Sequence, residues 1–306
     1  MTSTSSKADI YTRITETIIA AIEAGAGDFR MPWHGAGDMS RPMNIISGKP
    51  YRGINTLALW AAGQEKGFAS PVWGTYKQWQ DKGAQVRKGE KSSLVVFWKI
   101  SEAASSEEQD NEGEEQQGKA RILARAYYVF NAAQVEGWEA PALPVLPPAE
   151  RIAHAEAFFA GLGATIREGG TRACYIPSRD EIHIPPFAAF RDAVAYYTTL
   201  AHEATHWTAH PTRCASDLKG RFGSESYAAE ELVAELGAAY LCADLGLASE
   251  PRPDHAAYIA SWLKVLRNDS RAIFTAAARA QAAADWMHGR LVVKEGGTEE
   301  GERAAA

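Results

Sequence analysis

Two imidazoles and a carboxylate stand together in the run His202-Glu203-Ala204-Thr205-His206. The pattern is H-E-x-x-H. In a helix, residues four apart are rotated by only about 40° at 3.6 residues per turn, so both rings can reach one divalent ion. Glu203 then lies beside that ion, where it can take a proton from a water that the ion has polarised. The chemistry of such a set is the addition of water to a carbonyl. It needs a long helix, a third ligand and an open position.

The helix is present. No Gly or Pro interrupts residues 187–210, Pro185-Pro186 precedes them and Pro211 follows. Val194, Tyr197, Leu200 and Ala201 have helical apolar spacing. The stretch 224–247, SESYAAEELVAELGAAYLCADLGL, reads as a second helix and carries Glu225, Glu230, Glu231 and Glu235. Glu231 and Glu235 are four apart and share a face beside an apolar stripe of Leu232, Leu236, Ala239 and Tyr240. One carboxylate on that edge can complete the site. Another, a turn later, can orient a ligating histidine from behind. Spacing alone leaves Glu230, Glu231 and Glu235 as rivals. His210, one turn past His206, reads as a surface or substrate-side residue. Tyr227, one turn before Glu231, reads as a packing residue whose hydroxyl could also polarise a substrate carbonyl.

These helices must be placed within a chain of 306 residues, long enough for two domains, with 46% apolar content. No apolar run approaches a membrane span, and the first residues, MTSTSSKADIY, have no signal-peptide core. The expectation is a cytoplasmic protein. Cys174, Cys214 and Cys242 are odd in number and far apart, which fits reduced core thiols and neither a disulfide nor a metal framework.

Net charge is −6, yet residues 41–99 hold ten basic and three acidic side chains, a local balance of +7. Tyr51, Trp60, Phe68, Trp73, Tyr76, Trp79, Phe97 and Trp98 are interleaved with them. Cations that track phosphates between rings that stack on bases suit single-stranded nucleic acid. The same pattern also fits core aromatics under a solvated basic surface.

The predicted fold class is α+β in two domains. A first domain spans 1–139, with 1–7 frayed. It has an amphipathic helix over 9–24, short helices over 56–66 and 75–80, and strands over 93–100 and 121–131. An acidic, low-complexity insertion over 101–119 separates those strands. A proline-rich linker covers 140–148. The second domain, 149–290, has a helix over 148–162 and short strands over 165–168, 173–177 and 181–184. The two helices above follow, then one or two more over 255–288, broken near Asn268-Asp269. Residues 291–306 are expected to be disordered. A strand ahead of an H-E-x-x-H helix can hold an extended peptide by main-chain pairing.

The chain resembles the ArdC-type antirestriction family along nearly its whole length. The resemblance rests on Ser47-Gly48-Lys49-Pro50-Tyr51-Arg52-Gly53-Ile54-Asn55, Trp73-Gly74-Thr75-Tyr76-Lys77-Gln78, Val86-Arg87-Lys88-Gly89-Glu90-Lys91 and Val129-Phe130-Asn131. It continues through Leu200-Ala201-His202-Glu203, Thr205-His206-Trp207-Thr208, and residues 229–236 (AEELVAEL). It ends on Ser261-Trp262-Leu263 and Arg271-Ala272-Ile273-Phe274. The family implies an N-terminal single-stranded DNA-binding domain, a C-terminal zincin-like metallopeptidase domain, and protection of incoming DNA from restriction.

On that resemblance, His202, His206 and Glu231 would hold Zn2+, or another divalent ion such as Mn2+, and Glu203 would be the general base. Glu235 would orient a ligating histidine; it stands where the similar E-x-x-x-D helix of gluzincin peptidases has Asp. Lys49, Arg52, Arg87, Lys88 and Lys91 would contact phosphates, and Tyr51, Trp73 and Tyr76 would stack on bases. The implied partners are single-stranded DNA and a protein substrate, a restriction enzyme among the candidates. A different outcome is a DNA-coating protein whose metal is purely structural.

Overall fold

Ile10, Ile14, Ile18 and Ile22 recur every fourth residue, and α1 (Thr4–Gly25) buries this stripe completely or nearly so. The computed structural model describes residues 4–28, 31–34, 40–101, 121–139, 147–215, 225–248 and 255–303. The acidic insertion, Ser101 apart, and the proline-rich residues 140–146 lie outside them.

In the N-terminal half, α1 is followed by β1 (Met43–Asn44), α2 (Ile54–Lys66), β2 (Val72–Gly74) and α3 (Tyr76–Asp81). Then come β3 (Gln85–Val86), β4 (Ser93–Ser101), β5 (Arg121–Asn131) and β6 (Val135–Glu136). One sheet has the order β1-β2-β5-β4, in which β1 and β2 are parallel and the other pairs antiparallel. β3 and β6 form a separate antiparallel pair. Strands β4 and β5 pair over their whole length, from Ser93 opposite Val129 to Ser101 opposite Arg121. The outer edge of β4 is occupied at one point. Asn55 donates its side-chain amide to the Val96 carbonyl and accepts from the Val96 N–H, both at 2.7 Å.

The C-terminal half runs α4 (Pro148–Leu162), β7 (Thr165–Glu168), β8 (Cys174–Ile176), β9 (Glu181–Ile184), α5 (Ala193–Thr208), α6 (Glu225–Asp244), α7 (His255–Asn268) and α8 (Ala272–Arg303). The small sheet has the order β7-β9-β8, and β8 and β9 pack on α5. Helix α5 starts later than the uninterrupted run of residues suggests. Asp192 accepts from the Ala195 N–H at 2.8 Å and caps it there, while 187–189 make a 3-10 turn.

Two terminal expectations are corrected. Residues 4–7 belong to α1, and α8 continues through Arg303 where 291–306 read as disordered. A helix already nucleated by packed residues such as Ile273 and Met287 extends at little further cost.

The hydrophobic core is continuous between the two halves. The isoleucine stripe of α1, Leu57 of α2, Trp262 of α7 and Ala277 of α8 lie in one buried cluster with Leu236 and Tyr240 of α6. Hydrogen bonds cross the same boundary, from Thr15 Oγ1 to the Ser270 carbonyl at 2.7 Å and from Tyr240 Oη to the Gly53 carbonyl at 2.9 Å. Arg41 is buried and forks onto Asp244 at 2.6 and 2.7 Å, donates to Gln281 at 2.7 Å, and lies 4.5 Å over the Tyr240 ring.

Candidate metal centre and nucleic-acid surface

Helices α5 and α6 pack closely because Gly237 faces Thr205. A Cβ on Gly237 would sit 2.5 Å from Thr205 Cγ2, so any side chain there would push the helices apart. This closeness brings Glu231 to the two histidines. One ligand atom from each of His202, His206 and Glu231 lies within 4.8 Å of the others. The imidazole Nε2 atoms are 3.2 Å apart, and Glu231 carboxylate oxygens lie 3.4 Å from His202 and 3.6 Å from His206. Two neutral-donor rings and a carboxylate converging on one point are the donor set of an open tetrahedral site.

Burial alone would raise the Glu231 carboxyl, but hydrogen bonds and charge from His202 and His206 override it, holding it far below the usual range. Glu203 is buried at 5% exposure on the same helix.

The rival carboxylates separate cleanly. Glu230 turns away to Arg279 at 2.8 Å. Glu235 lies behind the site, its Oε2 3.6 Å from His202 Nδ1, the ring nitrogen opposite the one facing Glu231. His210 engages Thr212 at 2.8 Å and is outside the converging set. The Tyr227 hydroxyl meets Tyr258 at 3.4 Å. Burial first, then hydrogen bonds with Tyr258 and the charge of Glu231, push its pKa above the ordinary tyrosine range, so it stays protonated beside that carboxylate.

The edge strand β8 is tied to the end of α5 by Arg213. Its guanidinium donates to the Trp207 carbonyl at 2.6 Å and to Asp180 at 2.9 Å, and stacks 4.1 Å over the Trp207 ring. Tyr175 of β8 completes the latch by donating to Asp180 at 2.9 Å. Burial and this bond push the Tyr175 hydroxyl up to about 12. β8 packs on α5, the helix of Glu203, and its Cys174 is exposed and so is not the core thiol expected; partial desolvation first, then the charge of Glu203, raise its pKa.

The Arg213 hydrogen bond holds Asp180 below its ordinary range. A depressed carboxylate contributes stability above its unfolded value, about 3.9, that is lost as pH falls through the folded value. Hydrogen exchange at β8 should therefore accelerate only in acid below that point. Asp180→Asn should exchange fast at neutral pH, with that acid dependence removed. An unchanged acid profile in the variant would disprove the latch.

The nucleic-acid candidates divide by exposure. Trp73 is only 2% exposed, packed edge-on to Phe68 with ring centroids 5.9 Å apart. Tyr51 is buried in the same cluster, with Leu59, Val95 and Val129. Neither presents a ring face, so both leave the stacking set. Tyr76 remains exposed, its hydroxyl accepting from Gln85 at 2.9 Å. Lys49, Lys88 and Lys91 are exposed. Arg52 pairs with Asp285 of α8, and Arg87 pairs with Glu90 at 2.7 Å. Asn55 is buried and bonded to Val96, a structural role.

Sequence reasoning counted Phe97 and Trp98 among the aromatics of the basic stretch but missed Tyr127 and Tyr128, which are exposed beside them on the β4–β5 ribbon. The signal was the adjacent pairs Phe97-Trp98 and Tyr127-Tyr128. Alternation sends one ring of each pair to each face, and a ribbon of two strands cannot bury both faces. Phe97 and Trp98 border a cleft of about 950 Å³ whose other walls include Lys49, Arg52, Phe274 and Asp285.

Residues 8–130 match the family model for the N-terminal domain of anti-restriction factor ArdC, and residues 153–279 match a zincin-like metallopeptidase model. The fold is similar to the crystal structure of the antirestriction ArdC protein from plasmid R388 in its metal-free form. TM-score is 0.74 and identity 42%, covering 93% of this chain and 98% of that one. The chain belongs to the ArdC antirestriction family. The Mn(II)-bound structure of the R388 ArdC protein is similar at TM-score 0.73 and 40% identity, covering 92% and 97% of the two chains.

Protein y4eC of Sinorhizobium fredii is 56% identical over 92% of each chain. An Escherichia coli DNA primase TraC is 39% identical over 92% of this chain, which spans only 27% of TraC. ArdC-type architecture thus also occurs as part of a longer primase. Among the described residues no helix is long and apolar enough to cross a membrane.

Proposed function

We propose that this ArdC-family chain is a divalent-metal-dependent peptidase joined to a single-stranded DNA-binding surface, and that it protects incoming DNA from restriction. The observation that carries the peptidase reading is the convergence of His202, His206 and Glu231, with Glu203 buried on the same helix. A structural metal site has no use for Glu203. These three residues would hold Zn2+, with Mn2+ as a competent substitute given the Mn(II)-bound R388 relative. A bound ion supplies Lewis acidity, polarising a scissile carbonyl and lowering the pKa of water to about 7.

The chain's own groups do the rest. Glu203 accepts the proton of the attacking water and delivers it to the leaving amine. Glu235 holds the His202 ring in orientation. The free edge of β8 pairs with an extended peptide, and the Arg213 latch keeps that edge in register with α5. The test is hydrolysis of an unstructured peptide library by the purified protein. Cleavage should stop with a chelator and return with Zn2+ or Mn2+. Cleavage that is insensitive to chelation, or no cleavage by the metal-loaded protein, contradicts the reading.

The DNA-binding reading rests on the exposed rings of β4 and β5 beside Lys49, with Tyr76, Lys88 and Lys91 as further exposed contacts. Phe97→Ala and Tyr127→Ala should each weaken single-stranded DNA binding by about 1–3 kcal/mol, on the order of 5- to 150-fold. Trp73→Ala should instead destabilise the fold by about 3–5 kcal/mol, as core tryptophan truncations do. Fluorescence titrations and urea melts separate the two effects. Affinity should also fall steeply between about 50 and 200 mM salt. Equal DNA affinity in wild type and both ribbon variants would rule this surface out.

A further inference from the structure

We infer that the metal centre is built by both halves of the chain, with Trp33 and His34 of the N-terminal half acting as positioning residues for the metal ligand His202. The inference rests on the metal reading above and adds to it residues that lie about 200 positions away in sequence.

A line of polar contacts runs from Met31 through His34 and Glu235 to His202. The Met31 backbone N–H donates to His34 Nδ1 at 3.1 Å. That nitrogen must then offer a lone pair, so the ring proton of neutral His34 is on Nε2. His34 Nε2 lies 2.7 Å from Glu235 Oε1 and donates to it. The Trp33 indole N–H donates to the same oxygen at 3.2 Å. With Oε1 taken by two donors, Glu235 turns its other oxygen, Oε2, toward His202 Nδ1 at 3.6 Å, an electrostatic contact just longer than a hydrogen bond. An Nδ1 proton on His202 leaves its Nε2 lone pair facing Glu231 and His206, where a metal would sit.

The surroundings make the line effective. His34 is 6% exposed, Glu235 4% and His202 2%, so water does not compete for these bonds. A buried carboxylate without donors is costly, and here both donors to Oε1 come from the N-terminal half. Trp33 is pinned in turn against Trp262 of α7, ring centroids 6.2 Å apart. Seven residues past His34, Arg41 clamps the chain onto Asp244 of the same helix α6. Helix α6 thus faces the metal position through Glu231 and the N-terminal segment through Glu235 and Asp244. The orienting hydrogen bonds of a metal-ligating histidine typically govern affinity by about 10- to 100-fold.

The test compares wild type, His34→Leu, His34→Gln and Trp33→Phe in the full chain. Zn2+ and Mn2+ affinities are measured by calorimetric titration, and thermal melts are recorded without metal. His34→Leu removes the donor and should weaken metal binding by about 10- to 100-fold. His34→Gln, whose amide can donate to Glu235 and accept from Met31, should recover most of that loss. Trp33→Phe should fall between them. Metal binding by His34→Leu at wild-type affinity overturns the inference. So does an equal loss in the Leu and Gln variants that tracks a fall in melting temperature, since that marks a general packing role. A wild-type protein that takes up neither ion overturns instead the metal reading beneath it.

Discussion

Glu203→Gln should lower peptide hydrolysis by about 10²- to 10⁴-fold while leaving bound metal unchanged. The substitution keeps the side-chain shape and removes only the ability to accept a proton. Glu203 sits between the two histidines in sequence but is not in the converging donor set, so the metal does not depend on it. Peptide turnover and metal content by atomic absorption, measured on the same preparation, decide the matter. Turnover within threefold of wild type would remove Glu203 from the mechanism. Loss of metal together with turnover would make it a structural element. The same variant, carried into a restricting host, asks whether DNA protection needs proteolysis. Protection that survives with full metal content would assign the task to the N-terminal half.

The second large effect is on stability. Arg41→Ala should destabilise the protein by about 3–5 kcal/mol, the usual consequence of removing one partner from a buried ion pair. Arg41 is 7% exposed, and its loss leaves Asp244 with His288 and the Gln281 carbonyl with the Gly53 N–H as their remaining partners, without the planar fork that joins them. Lysine should rescue little, because it lacks the two parallel donors. Urea unfolding should remain a single transition in the wild type, because one hydrophobic cluster contains α1, α2, α6, α7 and α8 together. A variant within about 1 kcal/mol of wild type would mean that the clamp contributes little net energy. Two separated transitions in the wild type would contradict the shared core. The same architecture bears on work with fragments. An isolated N-terminal piece would expose the isoleucine stripe of α1 that α7 helps to cover.

Much of this was readable in the sequence wherever short-range rules apply. The H-E-x-x-H spacing, the Glu231/Glu235 pair one helical turn apart, the long β4–β5 pairing and the break before α8 all follow from periods of 3.6 or 2. The short strands β1, β2, β3 and β6 were not readable, because two or three residues carry no period. The stacking candidates are limited differently. Sequence counts rings but cannot say which face of a sheet is covered, so it does not separate the buried Tyr51 and Trp73 from the exposed Phe97 and Trp98. Trp33 and His34 left no local signal at all. Their role exists only because α6 brings Glu235 to them across about 200 residues of chain. Glycine weakens a helix without preventing one that is already anchored, so α8 runs on through residues 291–303.

Asn55 bears on how copies of this protein meet each other. β4 ends its sheet, and an open strand edge invites another chain to add itself there. The Asn55 side chain fills one register position with the same donor and acceptor that a neighbouring strand would offer. It works as a one-residue imitation strand, closing the middle of the edge beside exposed, sticky rings. A ribbon with exposed aromatics is at risk of self-assembly at the concentrations of an expressing cell. Asn55→Leu would leave Val96 with a bare N–H and C=O, and light scattering should then detect larger species than the wild type gives at the same concentration.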